Sequence, residues 1–144
     1  DNAWASAGGG KILQAQYATG TTTEQSTTST SFVDVTNGSV AITCAATSSK
    51  VLLLATVPFY TPTGSNAMHL TILRDSTNLG DADYGLGKMY TDNYNRDTWT
   101  CNYVDSPSST SAITYKLQFD AQGGTAYVCK QNNKLSFTVM EIGA

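Results

Sequence analysis

Apolar and polar residues alternate along most of this chain with a period of two, the spacing of a strand buried on one face. In 111–120, Ile113, Tyr115, Leu117 and Phe119 share one face, opposite Ala112, Thr114, Lys116 and Gln118. In 134–142, Leu135, Phe137 and Val139 oppose Ser136 and Thr138. In 67–75, Met68, Leu70 and Ile72 oppose His69 and Thr71. The run Val51–Val57 departs from this pattern, because it is apolar on both sides. Leu52 and Leu54 lie on one face, and Val51, Leu53, Ala55 and Val57 on the other. Such a strand needs cover twice. Val51, Leu52, Leu53 and Leu54 are therefore the candidate contact with a second copy of the chain. The pattern alone leaves equally open a central strand shielded by its own chain.

Strand signals recur near 11–18, 31–36, 39–44, 50–60, 67–75, 84–90, 96–104, 111–120, 124–130 and 134–142. Each is a short β-branched or aromatic run bounded by Gly, Pro, Asn, Asp or Ser. No segment holds a capped 3.6-residue apolar period, so helices are not expected. Asn37-Gly38 reads as a hairpin turn between two short strands. Gly123-Gly124 and Asn132-Asn133 also separate strand runs. Many short, evenly spaced strands predict an all-β protein, an antiparallel jelly-roll-like β-sandwich. The Cys…Trp…Cys spacing of immunoglobulin domains is missing. The sandwich is expected over 11–144. Residues 1–10, DNAWASAGGG, read as a flexible linker from an upstream region. Thr19–Ser31 is a Ser/Thr-rich run without apolar content and reads as a solvated loop or edge strand.

Composition narrows the classes of partner. Charged residues make up 13% of the 144, well below the ~25% of ordinary soluble domains. Ser and Thr, about a quarter of the chain, take their place. The net charge of -3 and the lack of a basic stripe argue against nucleic-acid binding. No apolar stretch approaches the ~20 residues of a membrane-inserting helix. The three cysteines, Cys44, Cys101 and Cys129, form no CxxC pair and read as small buried hydrophobes.

Catalytic signals are thin, and the chain is read as a non-enzyme without a cofactor. The lone histidine, His69, falls on the presumed polar face of a strand with no nucleophile motif beside it. Asp81 and Asp83 faintly echo a calcium loop, but the distal Glu is missing. Asp in such turns more often caps local amides. Gly8-Gly9-Gly10 lacks the Lys-Ser/Thr pair of a phosphate loop. A richer signal lies in 84–103, where Tyr84, Tyr90, Tyr94, Trp99 and Tyr103 interleave with polar residues. Tyrosine offers a flat apolar face with a polar handle, and Asn, Asp and Arg add directed hydrogen bonds. Sugars need that mixture. Trp99, Cys101 and Tyr103 share one strand face and belong to the core. Tyr84, Tyr90, Asp92, Asn93, Tyr94, Asn95 and Arg96 remain as candidate ligand-binding residues.

An ordered set of short motifs resembles a known family. It runs GGGKILQAQ, TSFVDV, SSKVLLLATV, LTILRDSTNLG, DSPSSTSAITYKLQF and KLSFTVMEI, and covers Gly8 to Ile142. The set is similar to the C-terminal β-sandwich domain of tailed-phage tail fibres and other virion appendages of the marine phage type. The resemblance implies a distal, homotrimeric domain on the virion surface, beside other virion proteins. It implies attachment to a host cell-surface glycan or protein, and no catalytic residues. It also places one face of Val51–Val57 on the sandwich core and the other toward a threefold axis. Val57–Pro62 and the 84–96 loop match the family pattern least, and the loops 60–67 and 84–96 are the expected contact surface. The alternative within the same family is a capsid decoration, head-fibre or fibre-capping domain that never touches the host.

Overall fold

The computed structural model describes residues 10–18, 23–62, 66–91 and 94–143. It is all-β: β1 (Ile12–Ala18), β2 (Gln25–Thr27), β3 (Val33–Thr43), β4 (Lys50–Thr61), β5 (Asn66–Arg74), β6 (Thr77–Asn78), β7 (Gly87–Thr91), β8 (Asn95–Asp105), β9 (Ala112–Phe119), β10 (Ala126–Val128) and β11 (Ser136–Ile142). A 3-10 turn, Lys130–Asn132, joins the last two strands. No helix among the described residues is long and apolar enough to cross a membrane. The expected linker 1–10 lies almost wholly outside the described residues.

The strands form two antiparallel sheets. The first runs β1-β11-β4-β10-β2, with β8 along the other side of β4. The second runs β3-β9-β5-β6, with β7 also on β5. The chain passes back and forth between the layers, so most neighbours are distant in sequence, as in a jelly-roll-like sandwich. The inner faces meet in one core. Val51, Leu53, Val57, Phe137 and Val139 of the first sheet pack with Met68, Leu70, Ile72, Leu117 and Phe119 of the second. The three alternating segments read from the sequence thus turn the expected faces inward.

The strand β4 resolves the two-sided run. Its register with β8 and β11 places Val51, Leu53, Ala55 and Val57 on the core face, where Leu53 is 0% exposed. Val51 and Leu53 are therefore not interface residues, because their side chains are used up inside the chain. Leu52 and Leu54 point outward and stay half-buried. Two rows cross that outer surface: Val104, Leu52, Met140 and Ala15, then Asn102, Leu54, Thr138 and Tyr17. Val104 is 55% exposed.

Asn37-Gly38 makes no hairpin. Residues 33–43 form one strand, β3, which bends through a bulge. The partner of Asp34 is Gln118 and that of Ser39 is Lys116, so both halves pair with β9. Asn37 takes the left-handed conformation (φ 59°) that the bulge needs, which is why a turn-favouring residue stands there. The strand expected over 84–90 begins only at Gly87, because Asp81 to Gly85 closes a tight turn first. Within Thr19–Ser31, Gln25–Thr27 forms the short edge strand β2.

Two carboxylates are buried beside Val51. Glu141 continues the inward alternation of β11 and accepts hydrogen bonds from Gln14 Nε2, Ser49 Oγ and the Ala45 amide, each 2.7 Å. Those bonds, that of Gln14 foremost, hold its carboxyl below the ordinary range. Asp105 accepts from Arg74 Nη1 at 2.9 Å and 3.0 Å and from the Tyr115 hydroxyl at 2.7 Å. Burial and then that carboxylate push the Tyr115 phenol far upward. The three cysteines are free thiols raised chiefly by burial, in keeping with a packing role.

Candidate functional site

The outer face of β5 is not open to solvent. His69 lies there, as alternation requires, yet it is only 2% exposed. The segment after β6 folds back over it. Asn78 Oδ1 accepts from Thr71 Oγ1 (2.5 Å) and from the Gly80 amide (3.0 Å), and the Leu86 amide donates to the Leu70 carbonyl (2.9 Å). Asp81 Oδ1 accepts from the amides of Asp83 and Tyr84, each 2.9 Å. These two bonds hold the Asp81 carboxyl below its ordinary range. They also set Tyr84 edge-on against the His69 ring, with centroids 5.4 Å apart.

A second wall comes from the segments after β2 and β9. The Ala121 amide donates to the Ser29 carbonyl (2.8 Å), and Gln122 Nε2 donates to the Thr30 carbonyl (3.0 Å) and to Asp120 Oδ2 (2.9 Å). Between the walls lies a cavity of about 580 Å³, lined by Ser31, His69, Asp83, Tyr84, Lys88 and Gln122 among others. Its volume is in the range of small-molecule sites.

His69 is tied down from one side only. Asp120, 1% exposed, accepts from the His69 amide (2.9 Å) and lies 3.1 Å from Nδ1. An ionised Asp120 makes Nδ1 the protonated nitrogen. Nε2 is buried and has no hydrogen-bond partner. A buried polar atom left unpaired costs about 1–3 kcal/mol. Lys88 Nζ sits 4.6 Å from the centre of the Tyr84 ring. The cavity thus combines an aromatic wall with donors and acceptors of both signs. Asp81 Oδ1 is occupied by backbone amides. Among the described residues no group of three His, Cys, Asp or Glu side chains is placed to hold a metal.

The candidate ligand residues divide between two places. Tyr84 lines the cavity, and exposed Tyr90, paired with Ala67, shares its face of the sheet. Asn95 and Arg96 lie on the first sheet, opposite Thr61 and Tyr60, and Tyr94 immediately precedes that strand. Asp92 and Asn93 lie outside the described residues. There Arg96 faces Tyr60, which also pairs with Tyr127. The Tyr60 ring lies 5.1 Å from Tyr94 and 5.4 Å from Tyr127. The two places share one end of the sandwich, where β4 ends at Thr61, β5 begins at Asn66, β7 ends at Thr91 and β8 begins at Asn95.

Sequence reasoning missed Asp120, Gln122, Lys88 and the cover over His69. Asp120 meets His69 across 51 residues, a pairing that no local period announces. The clue to the buried Glu141 was present, since it extends the Leu135, Phe137, Val139 face by one more step.

No protein-family model matches the chain, and no curated protein matches it. Among solved structures it is similar to a mutant VP2 protein of infectious bursal disease virus, from derived T=1 particles. The identity is 14% and the TM-score 0.47. The likeness covers 93% of this chain and 37% of that one, so the chain spans well under half of its neighbour's length.

Proposed function

We propose that the domain is a distal binding module of a virion appendage, a tail fibre or similar structure, that attaches to a host cell-surface glycan. The virion assignment is supported by the ordered motifs from GGGKILQAQ to KLSFTVMEI. The binding assignment is carried by the cavity over His69. It has one tyrosine wall for the CH face of a sugar, and around it Asp83, Lys88, Gln122 and Ser31 to pair with hydroxyls. Carboxylates and cation stand there together, which suits a neutral ligand.

The test is a glycan array and a host-adsorption assay on wild type and Tyr84→Ala. Array binding that Tyr84→Ala reduces at least tenfold supports the assignment. No array binding, with adsorption unchanged when the domain is deleted, overturns it.

A second reading rests on the outer face of the first sheet. Leu52, Leu54, Val104 and Met140 form an apolar surface there. That surface suits assembly: a homotrimer packed through β4, or a decoration or capping domain seated on another virion protein. Finding the chain at a capsid vertex or internal collar in a virion map favours the structural role over host contact.

A further inference from the structure

We infer that the Tyr60 cluster is a second binding site, for an acidic sugar of the hexuronate class. It is separate from the His69 cavity and does not depend on that cavity binding anything. Arg96, Tyr60 and Tyr127 form one cross-strand row on the outer face of β8, β4 and β10. Tyr94, two residues before Arg96 and 58% exposed, adds a ring at the edge. The Arg96 guanidinium lies 4.9 Å from the Tyr60 centroid and 5.3 Å from that of Tyr94. Lys130 Nζ covers Tyr127 at 3.8 Å and Tyr60 at 4.6 Å.

Two cations thus converge on three rings in a protein whose net charge is -3. Lys130 has Glu24 at 3.5 Å. Arg96 has no carboxylate within ion-pair distance among the described residues, and it donates instead to the neutral Gln131 side chain. Its remaining N–H groups form the planar fork that matches a carboxylate. Of the rings beside it, exposed Tyr94 supplies stacking for a pyranose face. The turn that brings Lys130 and Gln131 there is held in an uncommon backbone. Cys129, Gln131 and Asn132 all have left-handed φ, at 55°, 59° and 62°. Anion, fork and ring together select a sugar acid over a neutral sugar.

The experiment is an NMR titration of the full chain with a short oligoglucuronate, its neutral glucose counterpart and an oligoglutamate of equal charge. Oligoglucuronate should shift the resonances of Tyr94 and Arg96 and weaken with added salt. The glucose oligomer should bind more weakly. Arg96→Met should reduce uronate affinity about tenfold or more, the loss expected for a charge-assisted bidentate contact. Tyr84→Ala should leave uronate binding unchanged, which separates this site from the cavity. If Arg96→Met does not fold, Tyr94→Ala removes an exposed ring and must show the same loss. Equal binding of glucose and glucuronate oligomers overturns the inference. So does oligoglutamate binding as tightly as uronate, which marks a peptide or purely electrostatic site. Undiminished binding in a folded Arg96→Met protein overturns it as well.

Discussion

The adjacent residues Leu52 and Leu53 should behave as opposites. Leu53 is 0% exposed and packed between the sheets, whereas Leu52 looks outward between Val104 and Met140. Truncating a fully buried leucine to alanine costs about 2–5 kcal/mol. At roughly 2–4 °C per kcal/mol for a domain near this size, Leu53→Ala should lower the melting temperature by about 6–12 °C at ~3 kcal/mol. Leu53→Asp adds the burial of a carboxylate, several kcal/mol more. The sum approaches or exceeds the ~5–15 kcal/mol that holds a typical domain together. No folded population should remain. Leu52→Asp loses only half-buried contacts, on the order of 1 kcal/mol, and should stay folded. Urea-unfolding midpoints measure the stability of each variant, and sedimentation equilibrium measures its mass. If the outer face packs copies together, Leu52→Asp gives a folded monomer from an oligomeric parent. Unfolding of Leu52→Asp as complete as that of Leu53→Asp refutes the two-faced account of β4. An oligomer of unchanged mass removes this face from the assembly.

The buried carboxylates give two further tests. Glu141 has a folded pKa below its unfolded one, so its stabilisation is present above the unfolded value of ~4.3 and is lost as pH falls through the folded value. Melting temperatures of wild type should therefore drop across that acid window, and Glu141→Gln should flatten the drop while lowering stability at neutral pH. Around Asp105, Tyr115→Phe removes one hydrogen bond to a charged group that keeps Arg74, and should cost about 1.5–3 kcal/mol by urea denaturation. Asp105→Ala should cost more, because it leaves the buried Tyr115 hydroxyl without its acceptor; equal losses from the two variants mean that Asp105 is not the shared anchor.

Fold class, most of the longer strands and the inward faces of β5, β9 and β11 were legible in the amino-acid sequence. A period of two is a local property: each side chain's face follows from its neighbours'. The position of the core was legible for the same reason. Asn37-Gly38 shows where local reading stops. The same residues favour a hairpin or a bulge, and only the shared pairing with β9 selects the bulge. The two faces of Val51–Val57 were visible, but which one met the core was settled by the second sheet. The sites depended on tertiary structure still more. His69 reads as a surface residue until the turn after Asn78 lays Tyr84 across it and Asp120 arrives from the far end of β9. A cluster of tyrosines that looked like one patch became two, because Tyr90 pairs with β5 and Tyr94 leads into β8 along the other sheet. Burial of a face is written in the period of a strand; which residues from distant strands meet on that face is decided by register and by the crossing of the chain between sheets.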